Sequence, residues 1–201
     1  MSNYVWYRNK VWNDEIETQF YLKLKRSRSQ RDQHLVIQAL TLTETNPKVT
    51  LRLVQEYFET RRNTFDDVRA LLARTNAYIT LSDIERVVRS YRELLACEIK
   101  LPNHTTGAYV DYPFFVATKG IAQEYANAVC VLRENSDRPI FPLEFFKWHA
   151  AMALINQDRN HAISALEAAK VNRSGFRFHQ DVGLVGKEHT ETIKQLCKLS
   201  T

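Results

Sequence analysis

The chain has 201 residues, of which 44% are hydrophobic and 25% are charged, and its formal net charge is +5. This length suffices for one sizeable core, and the composition is that of an ordinary soluble globular protein. The first residues contain no apolar stretch of the kind found in signal peptides, and no apolar run approaches the length of a membrane span. We therefore expect a cytoplasmic protein with no membrane association.

The excess positive charge lies in one stretch, residues 23–31. Five of the chain's 28 basic residues fall there without any acidic residue, and the remaining 23 balance the 23 acidic residues. The members of this basic cluster are Lys23, Lys25, Arg26, Arg28 and Arg31. Basic side chains near a helix C-terminus favour the helix dipole, so one interpretation is a solvated helix end. The other is contact with nucleic acid or with an acidic protein.

Aromatic residues dominate the first twelve positions: Tyr4, Trp6, Tyr7 and Trp12. We expect this segment to pack as a cap across an open end of a helical stack, rather than to form a ligand cage. Asn13 is suited to cap a first helix that ends in the basic cluster. Two further helices are predicted over residues 30–45 and 47–62, with Asn46-Pro47 between them.

Residues 65–101 predict two helices joined by a tight turn. The first has an apolar stripe at helical spacing, formed by Val68, Leu71, Leu72, Thr75 and Tyr78. The second begins at Ser82 or Asp83, either of which can cap free backbone N–H groups. Its expected buried face consists of Ile84, Val87, Val88, Tyr91, Leu94 and Leu95. Two amphipathic helices this close in sequence fold back on each other as an antiparallel hairpin.

This hairpin resembles a tetratricopeptide repeat (TPR). The residues that match the spine of the family are Ala77-Tyr78, Leu81-Ser82-Asp83-Ile84, Val87-Val88, Tyr91 and Leu94-Leu95, with Pro102 further on. Ser82 stands where the family has its turn glycine, and Val87 replaces the usual alanine. Tyr57 and Tyr91 are 34 residues apart, as are Leu53-Val54 and Val87-Val88, and 34 residues is the period of the family.

The second half of the chain predicts four more helices. The first follows a loop at residues 101–112 and runs from Pro113 to residue 134. Helices over residues 143–156 and 161–171 form a weaker TPR-like pair. Residues 172–186 combine three glycines with several apolar side chains, so we expect an ordered segment pinned onto the helices. A short helix over residues 187–199 is expected to cap the C-terminal end.

The resemblance implies an all-α fold of about eight helices, stacked as antiparallel hairpins into a short TPR-like solenoid with aromatic N-terminal and C-terminal caps. It would form a single domain over residues 1–201, with a compact bundle as the alternative. In the family the first helix of each hairpin lines a concave groove. The corresponding residues here are Arg69, Leu72, Asn76, Ile79 and Thr80. Asn76 stands where TPRs often hold an asparagine that hydrogen-bonds a peptide backbone. The alternative is the hydrated side of a helix.

The sequence contains no motif for metal, nucleotide or acyl-transfer chemistry. HExxH, CxxC, GxSxG and GxxxxGK are absent, so no metal site, cofactor or catalytic residue is predicted. One enzymatic alternative is a HEPN-type ribonuclease, an all-α class whose motif is an arginine followed a few residues later by a histidine. Arg28 with His34, and Arg173 with His179, fit this pattern. The histidine would move the 2′-OH proton and the arginine would stabilise the phosphorane.

We therefore expect a non-enzymatic module that binds a protein or peptide partner in the groove. The alternative is a nucleic-acid-binding protein, perhaps HEPN-like in activity, that uses the basic cluster. A third interpretation is a structural subunit or homodimer whose groove binds a second copy. The cysteines Cys97, Cys130 and Cys197 are odd in number and far apart, so buried free thiols in a reducing cytosol are expected.

Overall fold

The computed structural model describes residues 5–201 and shows an all-α fold, with no strand among those residues. Ten α-helices lie in this part of the chain: α1 (Asp14–Arg26), α2 (Arg31–Leu42), α3 (Pro47–Thr60), α4 (Asp67–Thr80), α5 (Ile84–Lys100), α6 (Ala108–Thr118), α7 (Tyr125–Glu134), α8 (Pro142–Asn156), α9 (Arg159–Ala169) and α10 (Thr190–Ser200). Single 3₁₀ turns, Ala122–Glu124 and Lys187–His189, precede α7 and α10. None of these helices combines the length and the apolar character needed to cross a bilayer.

The helices fall into two compact units, Met1–Thr106 and Gly107–Thr201, which we call the first and the second unit. The single domain over residues 1–201 stays a prediction. In the first unit, α2 packs against α3, α3 against α4, and α4 against α5, and α2 also contacts α4. In the second unit, α6 contacts α7 and α8, while α8, α9 and α10 pack against one another.

Local sequence signals start the helices of the first unit where they were predicted. The Asn13 side chain accepts a hydrogen bond from the backbone N–H of Ile16 at 2.9 Å, which caps α1. Pro47 opens α3, where its missing N–H would have no partner within the helix. The Asp83 side chain accepts a hydrogen bond from the backbone N–H of Arg86 at 3.2 Å and so caps α5.

The N-terminal aromatic residues pack onto the core of the first unit. The members of that core are Phe20, Leu24, Leu35, Val36, Ala39, Leu42, Leu53, Val54, Tyr57, Ala70 and Ala73. The rings of Trp6 and Trp12 lie 5.6 and 5.4 Å from the ring of Phe20, and the ring of Tyr7 also packs against the cluster. These three rings cover the core as the cap prediction requires, while Tyr4 lies outside the described residues.

The turn between α4 and α5 contains a residue with a left-handed backbone. Ser82 has φ = 57°, a conformation that costs a residue with a Cβ about 1 kcal/mol and costs glycine almost nothing. The Ser82 side chain is exposed, and within the described residues its hydroxyl has no hydrogen-bond partner. The position of the family's turn glycine therefore has a glycine-like backbone even though the residue is serine.

We predict that Ser82→Gly raises the free energy of unfolding by about 0.5–1 kcal/mol, because it removes the strain without removing a contact. Urea unfolding followed by circular dichroism measures the change. Ser29→Gly is the matched control, since Ser29 is also exposed but has an ordinary negative φ, and it should not stabilise the protein. Equal stabilisation by both variants would contradict the argument.

The predicted helix over residues 113–134 is wrong, because two helices occupy this region. α6 begins at Ala108 and contains Pro113, so the preceding loop is shorter than expected. The first turn of α6 forms despite the proline because Ala108, Tyr109 and Val110 are buried there. α6 ends at Thr118, where Gly120 takes a left-handed conformation with φ = 66° and its N–H bonds to the carbonyl of Ala117.

The second unit has its own core, where α8, α9 and α10 meet. Its buried members are Phe146, Ala150, Ala153, Ala162, Ala165 and Leu196. The small residues of α8 and α9 let these two helices approach closely, and Leu196 of α10 completes the cluster. The predicted C-terminal helix therefore packs on the α8–α9 pair.

Two burial predictions are wrong. Ile84 is 46% exposed, because it is the first residue of α5 and α4 has already ended at Thr80. Cys130 and Cys197 are exposed thiols rather than buried ones, and Cys97 is half-buried. Cys130 lies on the outward side of α7, where its thiol donates a hydrogen bond to Glu134 one turn later at 3.2 Å.

Candidate functional site

The five predicted groove residues lie along one side of α4, which we call the α4 face: Arg69, Leu72, Asn76, Ile79 and Thr80. Leu72 and Asn76 are half-buried, whereas Ile79 and Thr80 are exposed. The Arg69 guanidinium is held by the Asp66 carboxylate at 3.0 Å. Burial raises the pKa of Asp66, and the nearby Arg69 opposes that shift. The face thus has an apolar centre and a positioned cation at one end.

Asn76 supplies the polar group at the middle of the α4 face. Within the described residues its carboxamide has no hydrogen-bond partner, while its backbone carbonyl accepts from the Thr80 hydroxyl at 3.1 Å. A carboxamide offers both a donor and an acceptor, so it can satisfy the C=O and N–H of an extended peptide. The face therefore has the chemistry expected of a backbone-binding residue.

The other side of α4 is committed to the protein itself. The Arg74 guanidinium pairs with Glu93 and donates to the Ser90 hydroxyl of α5 at 3.3 Å. Thr75 is buried, and its hydroxyl lies 2.8 Å from that of Ser90. These contacts fix the rotation of α4, so the five residues of the α4 face keep the outward orientation.

A corresponding face exists on α2, 34 residues earlier, and it is already covered. Its residues are Leu35, Gln38, Leu42, Thr45 and Asn46. The chain's own residues 5–12 run along it in an irregular, non-helical conformation. The side-chain amide of Gln38 donates to the backbone carbonyl of Asn9 at 2.7 Å and accepts from the backbone N–H of Asn9 at 3.0 Å. The Thr45 hydroxyl donates to the carbonyl of Lys10 at 3.0 Å.

This contact, which we call the Gln38 clamp, was not predicted from the sequence. The aromatic cap was expected from its composition, but nothing local shows that a glutamine inside an apolar helix holds a backbone. The signal that could have found it is the 34-residue offset, because Gln38 stands at the position of Leu72 and Thr45 at that of Ile79. Leu35 and Leu42 are fully buried beneath the segment.

The structure separates the basic cluster into two groups. Lys25, Arg26 and Arg28 are exposed, and no ion pair is found for them among residues 5–201. Arg31 instead bonds to Glu56 at 2.6 Å and to the Thr60 hydroxyl at 2.7 Å, which ties α2 to α3. Lys23 is half-buried. The exposed positive charge of this region is thus carried by three of the five residues.

The histidine of the first HEPN-like pair lies in a buried aromatic environment. His34 stacks on the ring of Tyr7 at 4.1 Å, and its Nδ1 lies 2.8 Å from the Ser27 hydroxyl. Burial lowers the pKa of His34, so the ring is neutral near pH 7. Arg28 points into solvent on the preceding turn. In the second pair, Arg173 and His179 are both exposed in the segment after α9.

Comparison with known proteins returned nothing: no family model, curated protein or solved structure matches the chain. Among residues 5–201, no group of three or more histidine, cysteine, aspartate or glutamate side chains is arranged to hold a metal ion. The geometry of the α4 face and of its covered counterpart on α2 therefore carries the functional argument.

Proposed function

We propose that the protein is a non-enzymatic, TPR-like binding module of the cytoplasm, and that its α4 face binds an extended peptide segment of a partner protein. The observation that carries this proposal is the Gln38 clamp. On the equivalent face of α2, the chain binds an extended segment of its own through side-chain contacts to backbone groups. The α4 face presents the same side of a corresponding helix with no segment of the described chain covering Asn76.

The order of helix packing supports the TPR-like interpretation of the first unit. In a TPR array, the first helix of each hairpin packs against its partner and against the first helix of the next hairpin. α2 and α4 contact each other as well as α3 and α5, and α3 contacts α4. With the 34-residue offset between Tyr57 and Tyr91, both buried, α2–α3 and α4–α5 become successive repeats.

The chemistry of the α4 face defines the kind of ligand. Asn76 would bind a backbone amide, as Gln38 does on α2, and Leu72 and Ile79 would contact an apolar side chain on each side of it. Arg69, although paired with Asp66, keeps its side chain 37% exposed and can add a hydrogen bond to an acidic or carbonyl group. An extended peptide with apolar side chains and few charges fits this set.

Selection from a phage-displayed library of random peptides tests the proposal, since no ligand has to be assumed. Peptides enriched on the wild-type chain should bind Asn76→Ala and Leu72→Asp at least about tenfold more weakly. Glu85→Ala is the control, because Glu85 is exposed on α5 and outside the α4 face. Fluorescence anisotropy with the enriched peptides gives the affinities. No enrichment, or binding insensitive to both variants, would refute the assignment.

A second candidate function is nucleic-acid binding by the basic cluster, and the exposure of Lys25, Arg26 and Arg28 favours it. Arg62 adds a further cation, since its guanidinium donates to the carbonyl of Arg28 at 3.1 Å. Phosphate contacts release counterions, so binding of a labelled single-stranded RNA should weaken steeply with salt. The variant Lys25→Glu/Arg26→Glu/Arg28→Glu should lose it. Salt-independent binding, or binding kept by the variant, would exclude this function.

A further inference from the structure

The second unit carries an open apolar groove at the start of α8 and the end of α9. Its volume is about 540 Å³, within the size range of ligand and side-chain pockets. Ile140, Phe145 and Val171 supply large apolar side chains to its walls, and they are 69%, 42% and 41% exposed. Contiguous apolar surface of this kind is typical of an interaction site rather than of free surface.

An aromatic side chain projects from the segment that borders the groove. Residues 172–186 are anchored by the ring of Phe176, which stacks on Phe141 at 5.0 Å, and by the carbonyl of Gly183, which accepts from the N–H of Leu143 at 2.8 Å. Between these anchors, Phe178 is 83% exposed. The segment was expected to be ordered and pinned, and both anchors agree with that, but its most apolar tip faces solvent.

The loop that presents Phe178 is closed by hydrogen bonds. The backbone N–H of Ser174 donates to the carbonyl of Gln180 at 2.7 Å, and the Ser174 hydroxyl donates to the carbonyl of His179 at 2.8 Å. Ser174 is buried. Such a closed loop holds the phenylalanine in place at its tip, so little conformational freedom is lost when the ring enters a pocket.

The groove also carries one charge of each sign. Glu167 and Arg173 line it, and in the part of the chain that the structure describes neither has an ion-pair partner. His149 lines the groove too, with its Nδ1 2.9 Å from that of His161. Burial lowers the pKa of His149, so the histidine adds no charge near neutral pH.

We infer that this groove is a self-association surface, in which Phe178 of each copy enters the groove of a second copy across a two-fold axis and Glu167 of one copy faces Arg173 of the other. A two-fold interface must be complementary to itself. A surface with an apolar groove, a projecting aromatic ring and one charge of each sign meets that condition. The inference concerns the second unit and does not depend on the proposed function of the α4 face.

Reciprocal charge variants of the full-length chain test this directly in sedimentation velocity. The wild-type protein should form a dimer of about twice 23.5 kDa. Glu167→Arg alone and Arg173→Glu alone should each weaken the dimer by about tenfold, because like charges then meet at both positions. An equimolar mixture of the two variants should restore it, because opposite charges meet again only in the mixed dimer.

The aromatic contact has its own matched pair. Phe178→Ser should weaken the dimer by about tenfold or more, whereas Phe65→Ser, which changes a 60% exposed phenylalanine in the first unit, should not affect it. Circular dichroism should show unchanged helix content for both, since both side chains are exposed. A wild-type protein that stays monomeric, a charge mixture that does not restore association, or equal effects of the two phenylalanine variants would each overturn the inference.

Discussion

Replacing Gln38 by leucine should lower the free energy of unfolding by about 2–4 kcal/mol. Gln38 is fully buried in α2, and its amide bonds to both the backbone carbonyl and the backbone N–H of Asn9. Its Oε1 also accepts from the Asn9 side-chain amide at 3.1 Å. Leucine fills nearly the same space, so no large cavity forms. It removes every one of these hydrogen bonds, so buried polar groups of Asn9 lose the partner that Gln38 provides.

Urea unfolding measures the loss of stability, and hydrogen exchange of residues 5–12 shows where it occurs. The backbone N–H of Asn9 should exchange much faster in Gln38→Leu than in the wild-type chain. Gln33→Leu is the matched control in the same helix, since Gln33 is only half-buried and its side chain has no hydrogen bond within the described residues. That control should change stability by less than about 0.5 kcal/mol. Unchanged protection of Asn9 in Gln38→Leu would show that the clamp does not hold the segment.

The clamp variant also bears on function, because it converts the covered face of α2 into one like the α4 face. Release of residues 5–12 would expose Leu35 and Leu42, which are fully buried in the wild-type chain. A peptide that binds the α4 face through backbone contacts should then gain a second, weaker site on α2. The covered face thus shows how such helices bind extended chain, and it explains why only one of the two faces is open.

Much of the first unit could be predicted from the sequence because its signals are local. Asn13, Pro47 and Asp83 each begin a helix through a hydrogen bond or a missing donor that the neighbouring residues alone determine. Ser82 shows the limit of such signals. The position of its turn was clear from the 34-residue pattern, but a left-handed backbone at a serine is imposed by the packing of two helices, not by serine itself.

The second unit was harder to predict because its helices are apolar on nearly every side. In α6 the buried Ala108, Tyr109 and Val110 extend the helix past the point where Pro113 was expected to start it. Gly120 did carry a signal for the break, since glycine favours the left-handed end of a helix. The exposed groove and Phe178 could not be foreseen, since an apolar residue in sequence does not reveal whether another part of the chain covers it.

Phe146→Ala should be the most destabilising single truncation in the second unit, with a loss of about 3–5 kcal/mol. Phe146 is fully buried where α8, α9 and α10 meet, and its ring lies 5.9 Å from that of Phe114 and 5.2 Å from that of His189. The residues around it on α8 and α9 are alanines, which are too small to move into the space that the ring leaves. A cavity therefore remains, and its cost adds to the lost burial.

The neighbouring Phe145 is the ideal control, because sequence alone does not distinguish the two rings. Phe145 is 42% exposed in the groove of the second unit, so Phe145→Ala should lower stability by no more than about 1 kcal/mol. Its effect should appear in sedimentation as weaker self-association. Thermal and urea unfolding of both variants separate the two roles: one ring holds the core together, and the other offers apolar surface to a second copy. Equal losses of stability in the two variants would mean that the groove side of α8 is also part of the core.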